Sequence, residues 1–247
     1  MAEPEEVADG VWRVTEGSLS TNVFLLREGE GVAVFDAGHK DMGKSVREAA
    51  DSLGGATRVV LGNSHPDHRG GAKQINAPVF CHPDERADAE GDGGQNYFNF
   101  ERLPRLQAAL AARSMKSWDD GPVEVAGTVV EGDPVSDFTV VELPGHSPGC
   151  IGLWRERDRL ALSNDCFARF DPAELSTMLR KRTRYPRVPH AAFNWDSQKA
   201  WGSLRKLQRL EPETCWPAHF DALVGDVPGS LGMVSRPQYK KHQRELF

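Results

Sequence analysis

The sequence predicts an α/β chain in which two mixed sheets pack face to face with helices outside, and three observations carry that reading. Short apolar runs of strand character alternate with amphipathic helical stretches in two successive halves. Residues able to bind a metal recur at the tips of those runs, each beside Gly, Pro or Ser. The length, 247 residues, suits one large α/β domain or two small ones. Candidate ligands spread from Asn63 to His219 favour a single domain over residues 1–247.

Taken in order, Val11-Trp12-Arg13-Val14-Thr15 alternates as a strand does, and residues 22–27 form a second run. Glu28-Gly29-Glu30-Gly31 is a hairpin turn into the return strand Val32-Ala33-Val34-Phe35-Asp36, which makes an antiparallel meander. Residues 41–53 are helical, with Met42, Val46, Ala49, Ala50 and Leu53 on one face, and Gly54-Gly55 ends the helix. A strand over 57–61 follows, then a short one over 77–81 and a helix-like segment over 82–89. Residues 90–133 are less regular, with a helix expected over about 100–112 from Leu103, Leu106 and Leu110. Strands over 138–143 and 151–154 flank a turn, and a charged hairpin leads to the strand Leu160-Ala161-Leu162-Ser163. Residues 167–195 form a second irregular stretch, in which His190, Phe193 and Asn194 are candidates to reach a pocket. A helix over 196–210 has Asp196 as N-cap and a stripe of Ala200, Trp201, Leu204 and Leu207; Thr214-Cys215-Trp216 is a short strand. The tail after Gly225 reads as helical near its end.

The chemistry concentrates in Asn63-Ser64-His65-Pro66-Asp67-His68-Arg69-Gly70-Gly71, after the buried-strand run Arg58-Val59-Val60-Leu61-Gly62. Two imidazoles and a carboxylate within four residues are ligands for Zn²⁺ and similar borderline metals. Such a local cluster supplies half of a metal site. His146 in Pro144-Gly145-His146-Ser147-Pro148-Gly149, Asp165 after Leu162-Ser163-Asn164, and His219 in Trp216-Pro217-Ala218-His219 stand at equivalent strand tips. Each alone reads equally well as an ordinary turn residue; together they read as the rest of the site.

In these motifs the chain resembles the metallo-β-lactamase superfamily over about residues 11–219. That family carries His-x-His-x-Asp-His after a strand, a Gly-His-[Ser/Thr]-x-Gly turn, a strand ending in Asp and a late His. Val34-Phe35-Asp36-Ala37-Gly38 is similar to its early Asp-x-Gly turn. The resemblance implies an αββα sandwich whose loops gather the ligands at one edge, with residues 90–133 and 167–195 as insertions that wall the pocket. It implies a first metal held by Asn63, His65 and His146, a second by Asp67, His68 and His219, and Asp165 bridging them. Asn63 stands where the family has its first His, so the first position is the weaker and Asn63 is a weak ligand or none, an amide oxygen binding zinc less well than imidazole. The expected cofactor is therefore Zn²⁺, one ion tightly bound and a second weaker or absent, with another divalent metal as the alternative. One class of β-lactamases shares the Asn but has Cys at the position of Asp165; Asp there is closer to glyoxalase II-like and lactonase-like hydrolases. Asp36 is either a turn carboxylate or, by resemblance, an outer acceptor that orients a ligand histidine. His82 is read as structural rather than as a site residue.

Composition narrows the partners. Hydrophobic residues at 39% and charged residues at 27% are globular values. A formal net charge of −6 argues against a nucleic-acid partner and hence against a nuclease of this fold. Arg180-Lys181-Arg182-Thr183-Arg184 is the one dense cationic run, read as a solvated loop or as a contact for an acidic substrate. Met1-Ala2-Glu3-Pro4-Glu5-Glu6 is acidic and shows no signal-peptide pattern, and no apolar run approaches the roughly 18 residues that cross a membrane. Cys81, Cys150, Cys166 and Cys215 are scattered, which suits reduced thiols and a cytoplasmic protein. The expected partner is a small molecule. The expected reaction is hydrolysis of an ester, thioester or lactone by a metal-activated water, with Asp67 orienting that water. A cyclase or lyase of the same fold, and a binding module that has lost turnover, are the alternatives.

Overall fold

The strand runs close into two mixed sheets in the structure, a computed structural model that describes residues 4–174 and 186–234. The first sheet has seven strands in sequence order: β1 (Glu5–Ala8), β2 (Val11–Glu16), β3 (Thr21–Glu28), β4 (Gly31–Phe35), β5 (Ala56–Val60), β6 (Val79–Cys81) and β7 (Val125–Thr128). β1 to β4 pair antiparallel, and β4 to β7 pair parallel. The second sheet runs in the order β13-β12-β11-β10-β9-β8, built from β8 (Pro134–Val135), β9 (Phe138–Glu142), β10 (Ile151–Arg155), β11 (Leu160–Leu162), β12 (Thr214–Trp216) and β13 (Leu223–Val224). Its β11–β12 pair is parallel and the rest are antiparallel.

Both faces of the central strands are covered, which is why β4 reads as an unbroken apolar run. The pleat sends Val32 and Val34 to one side and Ala33 and Phe35 to the other. The first pair joins Val23 and Leu25 of β3 and Val46, Ala49 and Ala50 of α1 (Gly43–Ser52) in the outer core. The second joins Phe24, Leu26 and Val60 with Val140, Ile151, Leu153 and Leu162 between the sheets. The far face of the second sheet is covered by α6 (Ser197–Arg209) and α7 (Val227–Gly232) through Ala200, Leu204, Leu207, Val227 and Leu231. Four layers result, helix, sheet, sheet, helix. The remaining helices are the one-turn α2 (Pro66–Arg69), α3 (Ala72–Ile75) and α4 (Arg86–Ala89) and the longer α5 (Arg105–Trp118).

The irregular stretches differ from expectation in two ways. Within the irregular segment 90–133, residues 125–128 form β7, parallel to β6. The helix expected over 100–112 instead starts after Pro104 and runs to Trp118. Its Leu106 and Leu110 are 65% and 48% exposed, and Met115 is its buried residue. The cationic run 180–184 and the end of the tail lie outside the described residues.

The two sheets are stitched together at one rim. Ile151 N–H donates to Gly62 O at 2.8 Å, and Asn22 N–H to Ala218 O at 2.8 Å. The ends of β4, β5, β11 and β12 all open on that rim, which is where the ligand candidates lie.

Candidate metal centre

Four histidines converge on two aspartates, and each imidazole is gripped from behind. His68 rides on α2, whose first turn carries Pro66 at a position that needs no N–H donor. Its Nδ1 lies 3.1 Å from Asp36 Oδ2. His65 Nε2 lies 3.2 Å from the Tyr97 hydroxyl, which itself donates to Asp88 Oδ2 at 3.4 Å. His146 Nδ1 is 3.1 Å from Asn194 Oδ1, and His219 Nδ1 is 3.4 Å from Thr21 Oγ1. A proton on each of these outer nitrogens leaves the inner nitrogen with a free lone pair, the arrangement that metal-ligating histidines need.

The inner atoms face one another. His65 Nδ1 and His146 Nε2 are 3.0 Å apart, and His146 Nε2 is 3.4 Å from Asp165 Oδ2. On the other side His219 Nε2 lies 3.3 Å from Asp67 Oδ2 and 3.8 Å from Asp165 Oδ1. His68 Nε2 lies 2.7 Å from Asp165 Oδ2 and 3.9 Å from Asp67 Oδ1. Ligand atoms of Asp67, His68 and His219 all fall within 4.8 Å of one another. Donors bound to a common Zn²⁺ at 2.0–2.2 Å stand roughly 3–4 Å apart, so the separations suit a divalent ion in each half, with Asp165 between them.

Two further observations fit a cation. His68 Nε2 is fully buried and has no hydrogen-bond partner, close as Asp165 is. The cluster is also rich in carboxylate. Burial works against charge on His68, yet Asp36, Asp165 and Asp67 outweigh it and hold its imidazole well above the ordinary histidine range. Burial and the neighbouring His146 push His65 well below that range. Burial opposes ionisation of Asp165 and Asp67, but the surrounding imidazoles hold both below the usual carboxylate range, His146 first for Asp165 and His68 first for Asp67.

Asn63 is turned to another task. Its Nδ2 donates to Asn164 Oδ1 at 2.7 Å and to Asp165 Oδ2 at 3.0 Å, and its Oδ1 accepts from His65 N at 2.9 Å. Its amide is spent within the protein, and it braces two candidate ligands. Asn164, which drew no notice in the sequence beyond its place before Asp165, is the matching hub. It sits at φ +49° and donates to Asp36 Oδ2 at 2.8 Å. Asp36 also has a left-handed φ, +64°, and its Oδ1 accepts from Gly62 N at 2.7 Å. Left-handed Asp and Asn are tolerated best where side-chain bonds over-determine them. Gly62 is required beside them, because a Cβ there would stand 2.1 Å from Asn164 Nδ2.

Glu85 is a second residue without a sequence signal. It is fully buried, and its carboxylate accepts from Ser64 N at 2.7 Å and Gly149 N at 2.8 Å. It thereby ties the His65–His68 loop to the His146 turn. His82, by contrast, faces Glu142 at 3.1 Å and accepts from Asp84 N at 3.1 Å, away from the cluster.

The cluster forms the floor of a cleft of about 980 Å³, open mouth included, lined by His65, Asp67, His146, Asp165 and His219. Its walls come from the two irregular stretches: Phe98, Leu110, Met115 and Trp118 from the first, Phe170, His190 and Phe193 from the second. Asn194 is not in the wall but behind His146.

Residues 17–219 match the sequence profile described as the metallo-beta-lactamase superfamily. The chain is 25% identical over 233 residues to "Probable metallo-hydrolase YflN" of Bacillus subtilis (strain 168), a match that covers 89% of this chain and 87% of that one. Its fold is similar to that of TTHA1623, solved in a di-iron-bound form, at a TM-score of 0.64 and 23% identity over 91% of this chain and 98% of that one. It is likewise similar to a beta-lactamase domain protein from Burkholderia ambifaria, at a TM-score of 0.66 and 20% identity over 99% and 79% of the two chains. With the profile spanning both halves of the sandwich and every strand-tip ligand within it, the chain belongs to the metallo-β-lactamase superfamily.

Proposed function

We propose that this protein is a metal-dependent hydrolase that opens an ester, thioester or lactone carbonyl of a small molecule. The observation that carries the reading is the set of four back-gripped imidazoles aimed at Asp67 and Asp165 on the floor of one cleft. Membership of a superfamily whose relative YflN bears the name of a probable metallo-hydrolase supports it.

Asp67, His68, Asp165 and His219 would hold the tighter ion, taken to be Zn²⁺, and His65, His146 and Asp165 a weaker one. When bound, a divalent ion supplies a water acidified to roughly neutral pKa and an electrophile for the carbonyl oxygen. The chain's own residues do the rest. Asp67 opens on the cleft, where its carboxylate would orient the attacking water by accepting a hydrogen bond from it. Asn63 donates to the Asp165 carboxylate and Asn164 accepts from its backbone N–H, so both hold that ligand in place. The aromatic and aliphatic walls flank the reacting group on the cleft floor.

The test is an esterase and lactonase assay on purified protein with and without chelator, joined to metal analysis. Activity that disappears with chelator and returns with Zn²⁺, about one tightly bound ion per chain, and a loss of at least 100-fold in Asp67→Ala but not in His82→Ala are expected. Equal losses in the two variants, or turnover indifferent to chelator, would remove the reading.

A further inference from the structure

We infer that the substrate of this site carries an aliphatic acyl arm of medium length, which lies along α5; the inference rests on the hydrolase reading above. The floor of the cleft is polar, but its long wall is one helix face. Trp118, Met115, Ala111 and Leu110 of α5 line it, together with the polar Ser114 and Gln107, and Phe98 and Phe193 add aromatic surface. The C-terminal end of α5 is anchored to the ligand loop. Asp119, just past Trp118, accepts from Arg69 Nη2 at 2.9 Å, and Arg69 follows His68 directly. The wall therefore leads away from the metal ligands as it runs back toward the start of the helix.

Along that path the apolar surface does not stop at the mouth. Leu110 lines the cleft and is still 48% exposed, and Leu106, one turn nearer the helix start, is 65% exposed. Leu106 lies outside the cleft lining but neighbours Leu110 at i, i+4 on the helix surface, so the two make one apolar stripe. Here they continue a wall that begins at the reacting carbonyl. From Met115 to Leu106 is nine residues, about 13 Å of helix, the reach of an extended alkyl arm of roughly ten carbons.

An arm laid in an open cleft is covered on one side. The expected gain is then roughly twofold in kcat/KM per methylene, about half of what full burial yields. Metal-replete protein assayed on p-nitrophenyl esters from acetate to decanoate should show a rise on the order of 50-fold between acetate and octanoate. Leu106→Ser with Leu110→Ser should cut that ratio at least fivefold. Val224→Ser, an exposed residue on β13 outside the cleft, should leave it unchanged. Binding is read separately, by tryptophan fluorescence during titration with 1-hexanol, 1-octanol and 1-decanol, with Trp118→Phe locating the signal. Chain-length-dependent binding without ester turnover would sink the hydrolase reading and keep the acyl groove. A flat chain-length profile in both turnover and binding would overturn the inference.

Discussion

At the scale of single residues, the centre depends less on the ligands than on what holds them. Asp36, Tyr97, Asn194 and Thr21 each occupy the outer nitrogen of one histidine, and Glu85 holds two ligand-bearing loops by their backbones. Its carboxylate is matched to two N–H donors that have no water to turn to. In Glu85→Gln one of the two oxygens becomes an NH₂ group facing a donor. The expected cost is about 1.5–3 kcal/mol of stability, the range for hydrogen bonds to a charged group, and about a tenfold loss of metal affinity, as outer supports of metal sites show. Urea unfolding and a metal titration measure the two, and an unchanged midpoint would mean that the strut is idle. The sequence could signal Asp36, because a carboxylate ahead of Ala-Gly at a strand end is a recognisable turn. It could not signal Glu85, since a glutamate on a short helical segment looks the same whether it meets solvent or two backbone amides. Asn63 was legible only as a departure from a motif; that its amide braces Asp165 needed the fold.

Elements were legible where both periodicity and burial agreed. α1 and α6 bury the stripes read from their spacing, and the β2–β4 meander follows its alternation and its Gly-rich turn. The bounds of α5 differ from its spacing because Leu106 and Leu110 are exposed and only Met115 is buried, so no core-facing stripe marks its ends, and β1, β8 and β13 are too short to show a period. α6 also has a task beyond packing. Asp196 caps it by accepting from Gln198 N at 2.8 Å and Lys199 N at 3.0 Å, while its own N–H donates to Gly145 O at 2.8 Å. Gly145 stands at φ +135° with Ala200 N only 2.0 Å from where a Cβ would be, so the His146 turn is pressed flat on the start of α6. Asp196→Ala should therefore cost about 1 kcal/mol, the usual value of a lost cap, or roughly 2–4 °C in thermal midpoint for a chain of this size. Metal should restore part of that loss, because closing the site re-seats His146; a variant whose deficit is the same with and without metal would uncouple the helix from the turn.

Over the whole molecule, each sheet supplies only part of the centre. Asp36, His65, Asp67 and His68 follow strands of the first sheet, whereas His146, Asp165 and His219 follow strands of the second. The apolar layer between the sheets fixes their distance but is non-directional; the rim bonds Ile151–Gly62 and Asn22–Ala218 fix their register. An ion held by ligands from both sheets binds only the folded sandwich, so its binding free energy adds to folding free energy. With free metal at 100 times its dissociation constant that is about 2.7 kcal/mol, which corresponds to roughly 5–11 °C at 2–4 °C per kcal/mol. Chelation should lower the thermal midpoint by that amount, and Asp165→Asn, which weakens the one carboxylate that reaches both halves, should shrink the difference between loaded and chelated protein. His82→Ala should leave the difference intact, because His82 lies outside the cluster. If chelator leaves the midpoint of the wild-type protein where it was, the two sheets are not joined through an ion, and the seven residues gathered at the rim need another explanation.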